Sequence, residues 1–436
     1  MKSFHIITFG CQMNEHDSER MAGILKGQEC VQTDDAATAD VIILNTCSIR
    51  EKAEQKFYSE LGRLRSLKRE RPGLAIAVAG CIAQQEGKNI LSRAPYVDMI
   101  FGPSDLAKVS ELPGIANTWT NPLIEIDGDP EYHRKQMSAL RTDPLKAWVS
   151  IMYGCNNYCT YCIVPYVRGR ERSRPPTDVV SEVRSLAEQG YKEVTLLGQN
   201  VNSYGKGNHG SADFPGLLSM VNDVSGIERI RFVTSHPRDL STELIFALRD
   251  LPKVCESIHL PVQSGADPIL SAMNRKYTRA DYLDRVKRLR TAVPRIAITS
   301  DIIVGFPGET DQDFILSMEM LREVEYESLF AFKYSKRPGT AALTLSDHVP
   351  DEVKEARLAQ VLDLQKEISR RKNAVNVGRI FEVLVDGHSK KGGKLTGRTR
   401  GNKTVNFDGM ESLIGKLVMV RITDAGESSL SGELCE

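Results

Sequence analysis

The chain has no excess of either charge: 57 lysines and arginines face 57 aspartates and glutamates in 436 residues. A balanced chain carries no global field to draw it onto nucleic acid or an anionic membrane, so any nucleic-acid site has to be a local patch. Long apolar runs are missing as well. No stretch has the length that spans a bilayer, and the opening MKSFHIITFGCQMNEHDSERM brings charge where a secretion signal would be apolar and lacks a small-residue cleavage site. These absences set the expectation of a cytoplasmic protein with no membrane partner. Low-complexity tracts are absent too, and the length suits about three domains. Nine cysteines without a secretion signal read as reduced thiols for metal or catalysis, not as a disulfide framework.

Three of those cysteines stand in one run, Cys155-Asn156-Asn157-Tyr158-Cys159-Thr160-Tyr161-Cys162. A single tight loop can turn all three thiols toward one metal centre. Soft thiolates suit zinc or an iron–sulfur cluster. Structural zinc asks for four protein ligands, usually as two spaced pairs, whereas here the closest upstream histidine is His133. Three ligands leave one metal position open, which favours a cluster with an uncovered iron over a degenerate zinc knuckle.

Upstream, residues 3–8, 41–46 and 74–79 are short apolar runs that predict strands buried on both faces, each followed by a helix-compatible segment. That alternation predicts a small parallel α/β domain over residues 1–115. A cysteine follows each run: Cys11, Cys47 and Cys81. Their separations match one strand–helix–strand repeat apiece, which places the three thiols at the carboxyl edge of one sheet, where open α/β folds bind ligands. One such cysteine would be read as a small buried residue; three at equivalent positions imply a second cluster. Turn-forming dipeptides without periodicity mark residues 116–145 as a linker. From 146 to 371, strands near 147–153, 193–198, 229–234, 256–262, 297–304 and 328–334 alternate with amphipathic segments, predicting a partial (β/α)6 barrel with its functional loops at the carboxyl ends of the strands. Residues 351–375 read as one long amphipathic helix. The remainder, 372–436, shows short β-branched runs broken by Gly392-Gly393, Gly401-Asn402 and Asp408-Gly409, the signature of a small antiparallel β-barrel. Lys390, Lys391, Lys394, Arg398, Arg400 and Lys403 cluster within it, and a basic hairpin can track a nucleic-acid backbone. The competing reading is a solvated, soluble surface.

Thr8-Phe9-Gly10-Cys11-Gln12-Met13-Asn14, Asn45-Thr46-Cys47-Ser48-Ile49-Arg50-Glu51, Ala79-Gly80-Cys81, Tyr153-Gly154-Cys155 through Cys162, and Arg168-Gly169-Arg170-Glu171-Arg172-Ser173-Arg174-Pro175 together resemble the methylthiotransferase family of radical S-adenosylmethionine (radical SAM) enzymes. The resemblance covers essentially the whole chain. It implies an amino-terminal methylthiotransferase domain, a radical SAM barrel and a carboxyl-terminal TRAM barrel. It further implies two 4Fe-4S clusters: Cys155, Cys159 and Cys162 would hold the one that binds and cleaves S-adenosylmethionine, and Cys11, Cys47 and Cys81 an auxiliary one that carries the sulfur to be transferred. The substrate implied is an N6-isopentenylated adenine beside the anticodon, sulfurated and methylated at C2. The TRAM barrel would grip the tRNA anticodon stem-loop, and the base would be extruded to react.

On this resemblance Tyr161 would pack by the adenine of S-adenosylmethionine, and Gln199, Asn200 and Gln263, at predicted strand ends, would make polar contacts to it; ordinary loop capping is the alternative for each. Arg168, Arg170, Arg172 and Arg174 would bind phosphate or cofactor carboxylate, or pair with Glu171. Cys30, Cys255 and Cys435 lack ligand partners in sequence and are expected to be non-ligands. His236 and His259 are expected to make hydrogen bonds, because hydrogen-atom abstraction needs no general base. The expected partners are tRNA and a flavodoxin- or ferredoxin-type electron donor, with the sulfur donor unspecified and the enzyme monomeric. Competing substrates are a ribosomal-protein aspartate, which would want an acidic TRAM face, and threonylcarbamoyladenosine in tRNA. A non-enzymatic iron–sulfur sensor or nucleic-acid-binding regulator would need only one cluster.

Overall fold

The computed structural model describes residues 1–48, 51–115, 122–126, 128, 139–207, 212–390 and 392–435; Ile49, Arg50, His133 and Lys391 lie outside them. The amino-terminal region is a six-stranded sheet of β1 (Ser3–Thr8), β2 (Val31–Gln32), β3 (Val41–Thr46), β4 (Ala75–Gly80), β5 (Met99–Phe101) and β6 (Leu123–Glu125) in the order β2-β1-β3-β4-β5-β6. Every pairing is parallel. Alternate residues of β3 and β4 go to opposite faces. Val41, Ile43, Ala75 and Ala77 pack with Met21 and Leu25 of the helix Gln12–Gly27. Ile42, Leu44, Ile76 and Val78 pack with Phe57, Leu61 and Leu64 of the helix Glu51–Glu70. Helices on both faces are why these strands read as unbroken apolar runs.

The predicted linker is corrected in two places. It contributes β6 to the sheet, and its last residues are bolted down: the Leu140 amide donates to the Glu19 carbonyl, and Arg141 donates to Glu19 (3.0 Å), Glu182 (2.9 Å) and the Trp148 carbonyl (2.6 Å). Turn dipeptides carry no sign of such pairings, which depend on partners far away in the chain.

The second region holds six strands in barrel arrangement: β7 (Lys146–Ser150), then, after the short antiparallel pair β8 (Met152–Tyr153) and β9 (Arg172–Ser173), β10 (Glu193–Leu197), β11 (Arg229–Phe232), β12 (Ser257–His259), β13 (Ala297–Val304) and β14 (Ser328–Lys333). They form two parallel triplets, β11-β10-β7 and β12-β13-β14, joined by a bridge from Ile230 to Val254. Among the described residues no strand pairing links β14 to β7, so the barrel is open along that seam. The helix Asp351–Ala374 packs on β14 from outside through Val361 and runs without a break across the expected domain boundary at 371.

The last region is a closed five-stranded barrel of β15 (Ile380–His388), β16 (Leu395–Thr399), β17 (Thr404–Phe407), β18 (Leu417–Ala425) and β19 (Leu430–Leu434). One pair, β17 with β19, is parallel, where the sequence predicts antiparallel pairing throughout. The turn between β16 and β17 is pressed against the amino-terminal ends of the larger barrel's strands. Arg229, 0 % exposed, donates to the Arg398 carbonyl (2.6 Å) and to Glu382 (2.9 Å). Arg231 donates to Glu193 (2.9 Å) and to the carbonyls of Thr399 and Arg400 (both 2.8 Å). Lys146 pairs with Asp386 at 2.8 Å. The small barrel therefore closes the floor of the large one.

Removing one member of a buried ion pair leaves the other uncompensated, at a cost of about 3–5 kcal/mol. Arg231→Ala, which strands Glu193 and two carbonyls, is expected to cost that much in chemical unfolding. Arg231→Lys should recover only part of it, since a lysine cannot reproduce the guanidinium fork.

Candidate metal and cofactor centres

Cys47 and Cys81 follow β3 and β4 directly and Cys11 follows β1 after Phe9 and Gly10, so parallel register delivers them to one sheet edge. Gly10 sets how close they come. It sits at φ +117°, and a Cβ there would lie 2.3 Å from Cys47 Cβ and 2.6 Å from its Sγ. Only glycine tolerates both that conformation and that approach. Cys47 hydrogen-bonds the Cys11 thiol and pulls its pKa down to about 6, against the opposing effect of burial and with help from Arg168. Burial pushes Cys81 up, and Arg168 works against it.

Arg168 comes from the other region, six residues past the cysteine loop. Its guanidinium is buried and donates to Asn14 Oδ1 and Asp17 Oδ2, both at 2.9 Å. It is thus committed to the first triad and not to Glu171, whose carboxyl is pushed up by burial while a hydrogen bond with Ser203 opposes. Arg174 also has internal partners, Glu182 at 2.8 Å and the Ser150 carbonyl at 2.5 Å.

The Cys155–Cys162 loop leaves β8 through Gly154, at φ +73°, where a Cβ would lie 2.2 Å from the Arg170 carbonyl oxygen. Its far side is tied to residues 272–275. Thr160 donates to the carbonyls of Met273 (backbone, 3.2 Å) and Ala272 (hydroxyl, 2.8 Å), and the Asn274 amide donates to the Tyr158 carbonyl (2.9 Å). Arg275 reaches Cys159 Sγ at 3.4 Å, Tyr161 Oη at 3.3 Å and the Pro261 carbonyl at 2.8 Å. Sequence reasoning missed Arg275, since nothing local marks an arginine more than a hundred residues from its thiol. Burial, with Cys159 nearby, holds Cys162 up at about 12; burial also holds Cys155 up at about 11. Such thiols give up protons when a metal takes their place.

Among the described residues, no three His, Cys, Asp or Glu side chains converge as a single metal ion requires. A four-iron cluster asks for something different, because its cysteines bind separate corner irons. Two convergent sets of three buried or half-buried thiols, each with a guanidinium beside it, suit such a cluster and not zinc. Cys30 and Cys255 are buried elsewhere, and with Cys435 they are free thiols.

Above the loop, the carboxyl ends of β10, β11 and β12 carry buried polar atoms without partners: Gln199 Oε1, Asn200 Oδ1, Ser235 Oγ, His236 Nε2 and Gln263 Oε1. Buried polar groups are otherwise satisfied almost everywhere, so this ring fits a polar cofactor. Thr234 (φ +71°) and Gln263 (φ +70°) are non-glycine residues held in the left-handed region at that same rim, a strain that clusters at functional sites. Asn200 and His236 are each anchored on one side, Asn200 Nδ2 to Asp239 (2.8 Å) and His236 Nδ1 to the Arg238 amide (3.2 Å). Burial, then the charge of Arg275, drives the His236 pKa down to about 2, so the ring is neutral and its free nitrogen is a hydrogen-bond donor. Ser235 and His236 join the three rim residues predicted from sequence. Tyr161 packs against the cluster of Ala266, Ile269, Met273, Phe306 and Tyr334.

Three family patterns tile the chain: Uncharacterized protein family UPF0004 over residues 3–102, the radical SAM superfamily over 149–321 and the TRAM domain over 374–435. Curated relatives named tRNA-2-methylthio-N(6)-dimethylallyladenosine synthase match end to end. The protein from Thermodesulfovibrio yellowstonii is 51% identical over 99% of both chains, that from Clostridium novyi 50% over 99% of this chain and 96% of its own, and that from Geotalea uraniireducens 48% over 100% and 99%. The chain belongs to the tRNA-2-methylthio-N(6)-dimethylallyladenosine synthase family. Among solved structures, the radical S-adenosylmethionine methyltransferase TsrM from Kitasatospora setae, with cobalamin and a [4Fe-4S] cluster bound, aligns at TM-score 0.56 and 15% identity over 79% of this chain and 77% of its own. That likeness is one of fold.

In this synthase-family chain the basic hairpin divides. Lys390 and Lys394 are exposed, Lys394 beside Asp408 at 3.4 Å, and Arg398 is half-exposed with Asn402 and Asp386 as partners. Lys391 lies outside the described residues. Arg400 and Lys403 are corrections. Arg400 donates to Glu256 (2.8 Å) and the Val254 carbonyl (2.7 Å), and Lys403 to Glu327 (2.6 Å) and Asn373 (2.7 Å). Both fasten the small barrel to the large one, because both stand in the turn between β16 and β17 that meets the large barrel.

Gly10→Ala should force the Cys47 thiol out of its place while leaving the sheet folded. The expected result is a fall from about eight irons to about four per reconstituted chain, checked by iron analysis beside an unchanged far-ultraviolet circular dichroism spectrum.

Proposed function

We propose that this protein is a radical S-adenosylmethionine tRNA methylthiotransferase. It converts N6-isopentenyladenosine beside the anticodon to the 2-methylthio derivative, with one S-adenosylmethionine as methyl donor and another as radical source. The observation that carries this reading is the pair of cysteine triads at the carboxyl edges of two parallel sheets, linked by Arg168. Full-length relatives bearing the synthase name support the choice of substrate. Two 4Fe-4S clusters and S-adenosylmethionine, bound at these places, supply hydrogen abstraction and the sulfur and methyl groups that adenine C2 receives.

The chain's own residues hold, orient and exclude water. The six cysteines provide thiolates, and Arg168 and Arg275 offset their charge in buried surroundings where it would otherwise be costly. The free polar atoms of Gln199, Asn200, Ser235, His236 and Gln263 meet the polar groups of S-adenosylmethionine, and Tyr161 flanks its adenine. No side chain has to take a proton from C2, which agrees with a His236 that stays neutral. Lys390, Lys394 and Arg398 contact phosphates of the anticodon stem-loop, a preference that separates this reading from a ribosomal-protein substrate. A flavodoxin- or ferredoxin-type protein delivers the electron, and the enzyme acts as a monomer. Among the described residues no helix is long and apolar enough to cross a membrane.

Alanine at Cys11, Cys47 and Cys81 together should abolish methylthio transfer and leave reductive cleavage of S-adenosylmethionine measurable; alanine at Cys155, Cys159 and Cys162 should abolish both. Loss of cleavage in the first variant, with the second triad still loaded, would refute the division of roles. Neutralising Lys390, Lys394 and Arg398 should flatten the salt dependence of tRNA binding by about one log–log unit per lost phosphate contact. A slope equal to the wild type's would return those residues to a solvated surface.

A further inference from the structure

One face of the large barrel is used by nothing above. Parallel partners share a face of the sheet, and the register pairs His259 with Thr299, Asp301 with Phe330 and Ile303 with Phe332. Alternating with these aromatics, Leu329 and Ala331 pack into the core with Val361 of the outer helix, so Phe330 and Phe332 point to the barrel's inner side. They are nonetheless 49% and 37% exposed, because β14 borders the open seam. Scattered exposed apolar residues are ordinary. Two phenylalanines side by side on the inner wall of a barrel, with the floor closed beneath them, make an apolar surface that awaits an occupant.

The wall beside them is polar and ordered. His259 Nδ1 lies 2.9 Å from Thr299 Oγ1, its Nε2 lies 3.4 Å from Asp301 Oδ1, and its ring meets Phe330 edge-on at 6.1 Å. Asp301 therefore faces the His259 ring and keeps acceptor capacity for a further donor. The patch also adjoins the cofactor rim: the Gln263 amide donates to the Asp301 carbonyl and the Gln263 carbonyl accepts from the Ile303 amide, both at 2.9 Å.

An acceptor and an apolar wall on neighbouring strands, about 4.8 Å apart, suit a group that offers one N–H and one alkyl chain from the same atom. N6 of an isopentenylated adenine is such a group; the amino group of a bare adenine has no chain to place on the wall. Resting on the function proposed above, we infer that Asp301, positioned by His259, accepts the N6–H of the extruded base while Phe330 and Phe332 contact its alkyl chain. These four residues then select the alkylated adenine over the unmodified one.

The test uses the reconstituted full-length enzyme and two anticodon stem-loop RNAs that differ only in N6-isopentenyladenosine or adenosine. Wild type should favour the alkylated RNA in kcat/KM. In Phe330→Ala/Phe332→Ala the preference should fall by roughly ten- to hundredfold, the range expected for removing apolar pocket contacts, with iron content and S-adenosylmethionine affinity unchanged. Phe332→Leu, which keeps an apolar surface, should retain most of it. Asp301→Leu should lower kcat/KM for the alkylated RNA without altering iron content. A preference equal to the wild type's in the double variant would overturn the inference, and so would a loss of S-adenosylmethionine affinity with preference intact, which would assign the wall to the cofactor. A wild-type enzyme that methylthiolates neither RNA would instead overturn the functional reading.

Discussion

Much of the architecture depends on gathering buried thiols that give up their protons when a metal takes their place, and on the two guanidinium groups set beside them. Arg168 leaves the barrel just after its own cysteine loop and ends against Asp17 and Asn14 of the helix Gln12–Gly27, beside Cys11 and Cys81. Arg275 does the equivalent for Cys159 from within the barrel. An unpaired buried charge costs several kcal/mol, so each arginine both permits the triad and fixes where it sits. Because Arg168 crosses between the two regions, the first triad receives its guanidinium only when they dock. The chain around it, from Glu19 through Arg141 to Glu182 and Arg174, reinforces that docking with further paired charges.

The opposite end of the barrel is held by the same chemistry. Arg229, Arg231, Arg400 and Lys403 interlock with Glu382, Glu193, Glu256 and Glu327, and the turn between β16 and β17 becomes a floor. The consequence is a division of space. The two cysteine triads and the cofactor rim lie at the carboxyl ends of the strands, the exposed Lys390 and Lys394 on a body fixed below the amino-terminal ends, and the open seam beside β14 between the two.

Strand placement, the two triads and the three-region plan were legible because each rests on local pattern. Apolar runs with cysteines just beyond them in Cys11, Cys47 and Cys81, and tight spacing in Cys155, Cys159 and Cys162, require no knowledge of distant contacts. The basic hairpin shows where that kind of reading stops. Six cations in one stretch look alike as letters, yet Lys390 and Lys394 fall in the loop between β15 and β16 and are exposed, whereas Arg400 and Lys403 fall in the turn between β16 and β17 and are tied to the large barrel. The linker failed for the same reason: β6 is short and amphipathic only in relation to β5.

What the sequence determined by itself was the periodicity of its strands and helices and the grouping of six thiols into two triads, since hydrophobic period and cysteine spacing are properties of neighbouring residues. What only the tertiary structure decided was which charges meet. Arg168 with Asp17, Arg275 with Cys159, Arg231 with Glu193 and His259 with Asp301 join residues that chain order leaves apart, and a guanidinium carries no mark in sequence of whether it will face solvent, phosphate or a buried thiolate.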